Sequence, residues 1–252
     1  MSGHSKWSTI KRKKGKLDAQ RGKIFTRVIK EIMVAAREGG GDINGNARLR
    51  TAVASAKAVN MPAANIDRAI KKGTGELPGA QYEESAYEGY GPSGVAIYVE
   101  VLTDNKNRTT SEIRHIFSKY GGNLGASGCV AWLFDPKAVV TVAKDAAGED
   151  RLFEVALEAG AEDVSSDSDD AYEIYAALSD MESVTRALAD SSIPVLSAEA
   201  SRIPQNTVML EQEDAVKLMR LLEALEEQDD VQKVYSNFDV SKETMEKLRA
   251  EE

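Results

Sequence analysis

The sequence has very few of the residues from which enzymes build nucleophiles, acid–base pairs and metal sites. Among 252 residues there are a single cysteine, Cys129, and two histidines, His4 and His115, which fall in different predicted domains. Neither Cys-x-x-Cys nor His-Glu-x-x-His spacing occurs. Because no titratable cluster supplies an acid, a base or a nucleophile, we predict that the protein is not an enzyme and uses no metal ion or cofactor.

The low cysteine content and the absence of long apolar runs also indicate where in the cell the protein resides. A single cysteine excludes an intrachain disulfide, which fits a reducing interior, and Cys129 lies in an apolar stretch where a thiol usually serves packing. No apolar run reaches the roughly 18 residues needed to span a bilayer. The basic N-terminus lacks the apolar core of a signal peptide. We therefore expect a cytoplasmic protein with no membrane partner.

Charge is distributed very unevenly, although the formal net charge is only −9. Residues 1–75 carry 17 Lys and Arg against 5 Asp and Glu, a net charge of +12, whereas residues 76–252 carry 15 against 36, a net charge of −21. A basic block on an acidic body indicates an anionic partner for one end, most simply nucleic acid. The alternative is that the basic segment docks onto the acidic part of its own chain.

The basic character is strongest in the first thirty residues, where Asp18 is the only acidic residue. We predict that residues 1–16 form a basic arm whose Lys and Arg side chains release counterions from phosphates. Trp7 either stacks on a base or anchors the arm by packing. The predicted nucleic-acid-binding residues are Lys6, Trp7, Lys11, Arg12, Lys13, Lys14, Lys16, Arg21, Lys23, Arg27, Lys30, Arg48 and Arg50.

Three helices are predicted in the basic segment. From Asp18 onward, apolar residues recur at helical spacing, and the glycines at 39–41 end this first helix. A second helix is predicted from about Asn46 through Val59. The pair Met61-Pro62 begins a third helix, which ends at Gly73. Helices this short and close together are typical of a small helical domain.

After a linker at 74–80 the pattern changes to alternating strands and helices. Strands are predicted over Ser85–Tyr90 and Val95–Val101, followed by a helix and by a buried strand at 128–134 (GCVAWLF). The order between residues 139 and 200 is β-α-β-β-α-β, the split βαβ order of a ferredoxin-like domain. A helix at 212–227 and a last strand, Val231 to Phe238, complete the pattern.

The predicted fold class is α+β and multidomain, with an N-terminal three-helix domain and two α/β sandwich (ferredoxin-like) domains, one inserted in the other. The elements before residue 136 and after residue 204 are too few to cover a sheet separately, so we join them. The predicted domains are a basic helical domain with its arm (1–75), a discontinuous α/β domain (80–135 plus 205–240) and an inserted ferredoxin-like domain (136–204).

Two polar clusters lie outside the basic segment. The run Asp104-Asn105-Lys106-Asn107-Arg108 follows a predicted strand, where binding sites are often built, and is a candidate contact surface. The aspartates at 163, 167, 169 and 170 lack the glycine and the distal glutamate of a calcium loop. We interpret them as a solvated acidic turn.

Several long motifs carry a family resemblance. They are GHSKWSTIKRKKGKLDAQRGKIFTR (3–27), GGGDINGNARLR (39–50), NMPAANIDRAIKKGTGE (60–76), YEGYGPSGVAIYVEVLTDNKNRT (87–109) and GGNLGASGCVAWLF (121–134). With these motifs the chain resembles the YebC/PmpR family of bacterial proteins, whose mitochondrial relative is a translational activator of a cytochrome oxidase subunit. The resemblance runs the full length and is strongest up to about residue 135. It implies a three-domain fold with the insertion described above.

The resemblance implies a cytoplasmic, DNA-binding transcriptional regulatory protein, although other members of the family are ribosome-associated translation factors that bind RNA. The matching residues fit both functions, because a basic arm and helix bind the phosphates of either nucleic acid. No helix carries an obvious base-reading set, which favours recognition of shape and backbone, as in RNA binding. A third hypothesis is a protein-interaction module whose acidic domains recruit a basic partner.

Overall fold

The computed structural model describes residues 17–166, 168, 170–241 and 243–245, with side chains of the first helix from residue 22 onward. The chain is α+β and multidomain, as predicted. It divides into two compact units. Of the described residues, the first unit holds 17–129 and 213–235, and the second unit holds 130–212 and 236–245.

Helices and strands alternate through most of the chain after residue 80. None of the helices in the described ranges is both long and apolar enough to cross a bilayer. The helices are α1 (Leu17–Gly39), α2 (Ala47–Ala58), α3 (Ala63–Gly73), α4 (Lys106–Lys119), α5 (Glu149–Glu158), α6 (Met181–Asp190) and α7 (Gln212–Glu227). The strands are β1 (Glu83–Tyr90), β2 (Ala96–Thr103), β3 (Asn123–Leu124), β4 (Phe134–Ala143), β5 (Ala161–Ser165), β6 (Ala171–Ala176), β7 (Val195–Pro204), β8 (Val208–Leu210), β9 (Val231–Ser236) and β10 (Phe238–Val240).

The three predicted helices of the basic segment are present as α1, α2 and α3. Asn46 fixes the start of α2, because its side-chain oxygen accepts a hydrogen bond from the Leu49 N–H while its amide donates to the carbonyl of Ala35 in α1. Helices α1 and α3 pack very closely at Gly73, where an added Cβ would lie 2.4 Å from the Met33 carbonyl oxygen. The buried core between these helices contains Ile32, Met33, Ala35, Ala36, Leu49, Ala52, Val53, Ala56, Met61, Ile66 and Ala69.

The sheet of the first unit has the strand order β3-β1-β2-β9. Strands β1 and β2 form an antiparallel pair in which Glu83 lies opposite Thr103. Strand β2 is buried along almost its whole length, as expected for a central strand covered on both faces. Strand β9 follows β2 in the sheet although about 130 residues separate them in sequence, so a late segment completes a sheet begun by an early one.

The second unit contains the predicted β-α-β-β-α-β series. Its antiparallel sheet has the order β5-β6-β4-β7, with helices α5 and α6 in the connections of the split βαβ pattern. The core includes Val140 and Ile174 from the sheet and Leu152 and Leu188 from the helices. Strands β8 and β10 form a separate parallel pair.

The predicted buried strand at 128–134 is wrong. Gly128 has a φ of +85°, which an extended strand does not allow, and Ala131–Leu133 form a short 3-10 helix. Strand β4 begins only at Phe134. Cys129 is therefore half-buried in a turn rather than enclosed in a sheet, and burial together with the nearby Glu88 carboxylate raises the pKa of its thiol.

Two strand boundaries also differ from the prediction. The strand predicted to begin at residue 139 begins at Phe134, as β4, and includes Pro136. Only β7 pairs with Pro136, because β6 begins its pairing at Ala138. With a neighbour on only one side, a residue without an N–H is tolerated. The predicted last strand is interrupted at the buried Asn237, and its two parts, β9 and β10, join different sheets.

Truncation in helix α5 tests the core of the second unit. Leu152 is fully buried, whereas Leu157 on the same helix is 50% exposed. We expect Leu152→Ala to lower the unfolding free energy by about 2–5 kcal/mol, because it removes buried apolar contacts and leaves a cavity. The matched change Leu157→Ala should cost less than about 0.5 kcal/mol. Urea denaturation, monitored by circular dichroism, measures both values. Equal losses of unfolding free energy in the two variants would contradict the assigned core.

Candidate nucleic-acid interface

Helix α1 carries most of the described residues that were predicted to bind nucleic acid. Its side chains Lys23 and Arg27 instead contact the C-terminal end of α7. Lys23 Nζ donates to the carbonyl oxygen of Glu227 over 3.1 Å, and the Arg27 guanidinium donates to the carbonyl of Glu226. The last carbonyls of a helix lack partners within the helix and carry its negative dipole end. Both cations therefore cap α7.

Lys30, one turn further along α1, is buried and forms an ion pair with Asp230. The two residues are 5% and 2% exposed, and Lys30 Nζ lies 2.8 Å from the Asp230 carboxylate. The ammonium also donates to the carbonyls of Asp229 at 2.9 Å and Leu102 at 3.4 Å. An ammonium group has three protons, so these three acceptors satisfy it.

The Asp230 carboxylate is in turn surrounded by donors. Arg108 and the Thr109 hydroxyl each donate to it over 2.8 Å, and the Thr103 hydroxyl does so over 3.3 Å. Burial would raise the pKa of this carboxyl, but hydrogen bonds from Arg108, Lys30 and Thr109 outweigh that effect and hold its pKa below the ordinary range. Asp230 is therefore charged and fully paired.

The candidate contact surface at 104–108 belongs to the same network. Asn105 caps α4 by accepting a hydrogen bond from the Arg108 N–H. The Arg108 guanidinium bridges Asp104 and Asp230, each over 2.8 Å, and these bonds raise its pKa. The run of polar residues thus builds the start of α4 and a support for Asp230, although Arg108 keeps 44% of its side chain exposed.

A cleft of about 800 Å³ opens beside this network. It is lined by cations and carboxylates together: Lys23, Arg27 and Arg108 face it, and so do Asp104 and Glu112. Burial lowers the pKa of Arg27, and the carboxylates of Glu226 and Asp229 offset only part of that effect. A cleft of mixed sign gives a phosphate backbone little net attraction.

The predicted residues Arg48 and Arg50 also have internal partners. Arg48 on α2 pairs with Glu31 at 2.8 Å, with Glu38 at 2.7 Å and with Glu84. Burial acts against it, yet the hydrogen bonds to Glu31 and Glu84 raise its pKa. Arg50 donates to the carbonyl oxygens of Ile43 and Asn44 at 3.5 and 3.1 Å.

These contacts require a correction for two of the predicted phosphate contacts. Lys30 is buried and its ammonium is saturated, and Arg48 is held by three carboxylates, so both stabilise the fold in this arrangement. Lys23, Arg27 and Lys30 of α1 thus contact other parts of the same chain, as in the alternative that the basic segment docks onto its own acidic part. The remaining predicted residues, Lys6, Trp7, Lys11, Arg12, Lys13, Lys14 and Lys16, and the side chain of Arg21, lie outside the described residues.

A different group of cations in the basic segment is open to a partner. Its members are exposed, and within the part of the chain that the structure describes they have no hydrogen-bond or ion-pair partner. In the sequence, these residues lie away from the apolar stripes of their helices, and this position is the signal that indicates their exposure. We call them the open cations; they are Arg37, Lys57, Arg68 and Lys72.

Comparison with known proteins gives the family. A model described as the TACO1/YebC protein N-terminal domain matches residues 5–76, and a model described as the TACO1/YebC second and third domain matches residues 82–238. The chain belongs to the TACO1/YebC family. The resemblance noted from the sequence motifs is thereby confirmed.

Similar proteins match this chain over nearly its whole length. A probable transcriptional regulatory protein of Persephonella marina is 57% identical over 249 residues, covering 98% of this chain and 100% of that protein. A protein of the same description from Desulfosudis oleivorans is 59% identical over 241 residues, covering 96% and 98%. The crystal structure of a conserved hypothetical protein from Aquifex aeolicus matches with a TM-score of 0.83 and 50% identity over 91% of this chain and 95% of that one.

Replacing Lys30 tests the structural role of the ion pair. We expect Lys30→Met to lower the unfolding free energy by about 3–5 kcal/mol, because it leaves the Asp230 carboxylate buried without its closest cation. Lys23→Met, on the same helix but exposed, should cost less than about 1 kcal/mol. Urea denaturation of the three proteins measures the difference. Equal stability of Lys30→Met and the parent protein would refute the role assigned to the pair.

The depressed pKa of Asp230 also predicts a pH dependence. An unfolded aspartate titrates near a pKa of about 3.9, so the pair's contribution is fully present above that pH and is lost as the pH falls toward the lower folded-state pKa. The stability gap between the parent protein and Asp230→Asn should therefore narrow as the pH falls from 6 to 2.5. Denaturant titrations across this range measure the gap. A gap that stays constant with pH would contradict the assignment.

Proposed function

We propose that this member of the TACO1/YebC family is a non-enzymatic nucleic-acid-binding regulator of gene expression, in the first place a DNA-binding transcriptional regulatory protein acting in the cytoplasm. The observation that carries the proposal is the separation of charge, with a net +12 over residues 1–75 and −21 over residues 76–252. The description of its relatives as probable transcriptional regulatory proteins supports the regulatory role.

The cations that serve this function are those with no internal carboxylate or carbonyl to satisfy them. In the described part of the basic segment these are the open cations, on α1, α2 and α3. Six further Lys and Arg residues lie within residues 1–16. Each cation that meets a phosphate releases condensed counterions, so affinity rises with their number and falls with salt.

The acidic part of the chain contributes by repulsion. A strongly negative surface raises the energy of any orientation in which it approaches a polyanion, so the nucleic acid is directed to the basic segment. The same charge discourages binding elsewhere on the chain. The charge distribution thus sets the orientation of the bound nucleic acid, and no contacts to its bases are needed for this.

Ribosomal RNA as the target is the alternative, and one observation favours it. The open cations are spread over three helices, with Arg37 on α1, Lys57 on α2 and Arg68 and Lys72 on α3. A single recognition helix in a major groove would carry several base-reading side chains on one face. Scattered cations suit contacts to a folded backbone, as in RNA recognition.

Charge reversal in the basic arm tests the proposal. We expect Lys13→Glu together with Lys14→Glu to weaken binding to DNA and RNA, and to lower the slope of log K against log salt by about 2, because about two phosphate contacts are lost. The control Arg186→Glu changes an exposed arginine of α6 whose only assigned partner is Glu182. It should leave the slope unchanged. Fluorescence anisotropy at several salt concentrations measures it, and an unaltered slope in the double variant would refute the proposal.

A sucrose gradient separates the two targets. Cell lysate treated with DNase is sedimented, and the protein is located by immunoblotting. Migration with ribosomal subunits indicates the translational alternative, because a DNA complex does not survive the nuclease. Migration only at the top of the gradient, together with binding of purified protein to promoter DNA, indicates the transcriptional function.

A further inference from the structure

A second, smaller cavity lies entirely in the first unit, beside the ends of α1 and α3. Its volume is about 330 Å³, within the range of small-ligand sites. One wall is apolar and is made by Met33, Val34, Leu77 and Pro78. The half-buried ring of Tyr82 also lines it. An apolar wall beside an aromatic ring is suited to a flat organic ligand rather than to a bare ion.

The charge of this cavity differs from that of the larger cleft. Its two charged lining residues are Arg37 and Lys72, both open cations, and no carboxylate is among the described residues that line it. The neighbouring Lys71 is already paired with Asp67 at 2.9 Å. The cavity therefore offers, at an apolar wall, two positive charges with no hydrogen-bond or ion-pair partner among the described residues, although Arg37 also interacts at longer range with Glu83. This arrangement predicts a ligand with an anionic group and an apolar face.

Several donors around the cavity are already engaged within the protein. The N–H of Gly75 donates to the Lys72 carbonyl and the N–H of Leu77 donates to the Lys71 carbonyl, so neither is available to a phosphate. The Thr74 hydroxyl donates to Glu76 at 2.9 Å. Tyr82 is held in place, with Lys30 Nζ 5.1 Å from its ring centroid. These groups are already engaged, and Arg37 and Lys72 supply the positive charge for an anion in the cavity.

We propose that this cavity takes one unpaired nucleotide of the bound nucleic acid, with its base against the apolar wall and Tyr82 and its phosphate beside Arg37 and Lys72. The inference rests on the proposed function and narrows it to targets that contain unpaired nucleotides. A base inside a duplex is stacked on both sides and cannot enter, whereas an unpaired base can be splayed out and stacked on an aromatic side chain.

The test compares single-stranded 12-mers, as DNA and as RNA, with their duplexes, using fluorescence anisotropy on the full chain. Two variants alter the cavity: Arg37→Ala/Lys72→Ala removes its charges, and Ala80→Trp fills it from an exposed lining position without changing charge. The matched control, Lys57→Ala/Arg68→Ala, removes one Lys and one Arg from the same helical segment but outside the cavity. The readout is the ratio of single-strand to duplex affinity.

We expect both cavity variants to lower that ratio about tenfold, while the control leaves it unchanged. Ala80→Trp blocks stacking of the base, and Arg37→Ala/Lys72→Ala removes the charges that hold its phosphate beside the stacking site. An unchanged ratio in both cavity variants, with binding of the parent protein intact, overturns the cavity inference and leaves the proposed function standing. Failure of the parent protein to bind any of the nucleic acids overturns both. Competition by free adenosine monophosphate without an effect of the cavity variants on strand binding shows a free nucleotide as the ligand, and overturns the assignment to a strand.

Discussion

The buried ion pair between Lys30 and Asp230 is the contact on which the first unit depends. Its two members are 200 residues apart in sequence, and between them they engage the middle of α1, the end of β2, the start of α4 and the turn before β9. A buried charge is costly unless all its hydrogen-bonding capacity is met. Here three acceptors surround the ammonium and four donors surround the carboxylate. Such a network tolerates only one arrangement of these elements.

This network explains why a strongly basic helix does not offer all of its charge to a partner. Lys23 and Arg27 cap the end of α7, and Lys30 is enclosed. The basic segment therefore contains two classes of cation: those that hold the segment to the acidic part of the first unit, and those that remain open. Only the second class contributes to phosphate binding in the proposed function, and two of its members line the smaller cavity.

Periodicity alone predicted most of the elements, because each amphipathic stripe buries itself in a local and repetitive way. The three helices at the N-terminus and the β-α-β-β-α-β series were found where the sequence placed them. The errors fall where local pattern and backbone geometry disagree. The apolar run at 128–134 has a strand-like composition, but Gly128 takes a positive φ and the chain turns. Pro136 breaks most strands, yet here it occupies a position paired on one side only.

The site was less predictable than the fold. A count of Lys and Arg identifies the basic segment, but it cannot distinguish Lys30, whose partner is 200 residues away, from Lys72, which has no partner among the described residues. That distinction depends on long-range pairing, which sequence spacing does not encode. The dense polar run that contains Arg108 was interpreted as a contact surface. Such a run also builds helix caps and ion-pair networks, and the sequence does not distinguish these roles.

The central claim is that the arm and the open cations bind phosphate, while Lys23, Arg27 and Lys30 of α1 hold the fold. It is tested most directly by comparing the salt dependence of nucleic-acid affinity for the full chain and for a variant that starts at residue 17. The removed segment carries six Lys and Arg residues, so the slope of log K against log salt should fall by up to about 5 while the unfolding free energy stays the same. An unchanged slope would contradict the account, because the arm would then release no counterions on binding.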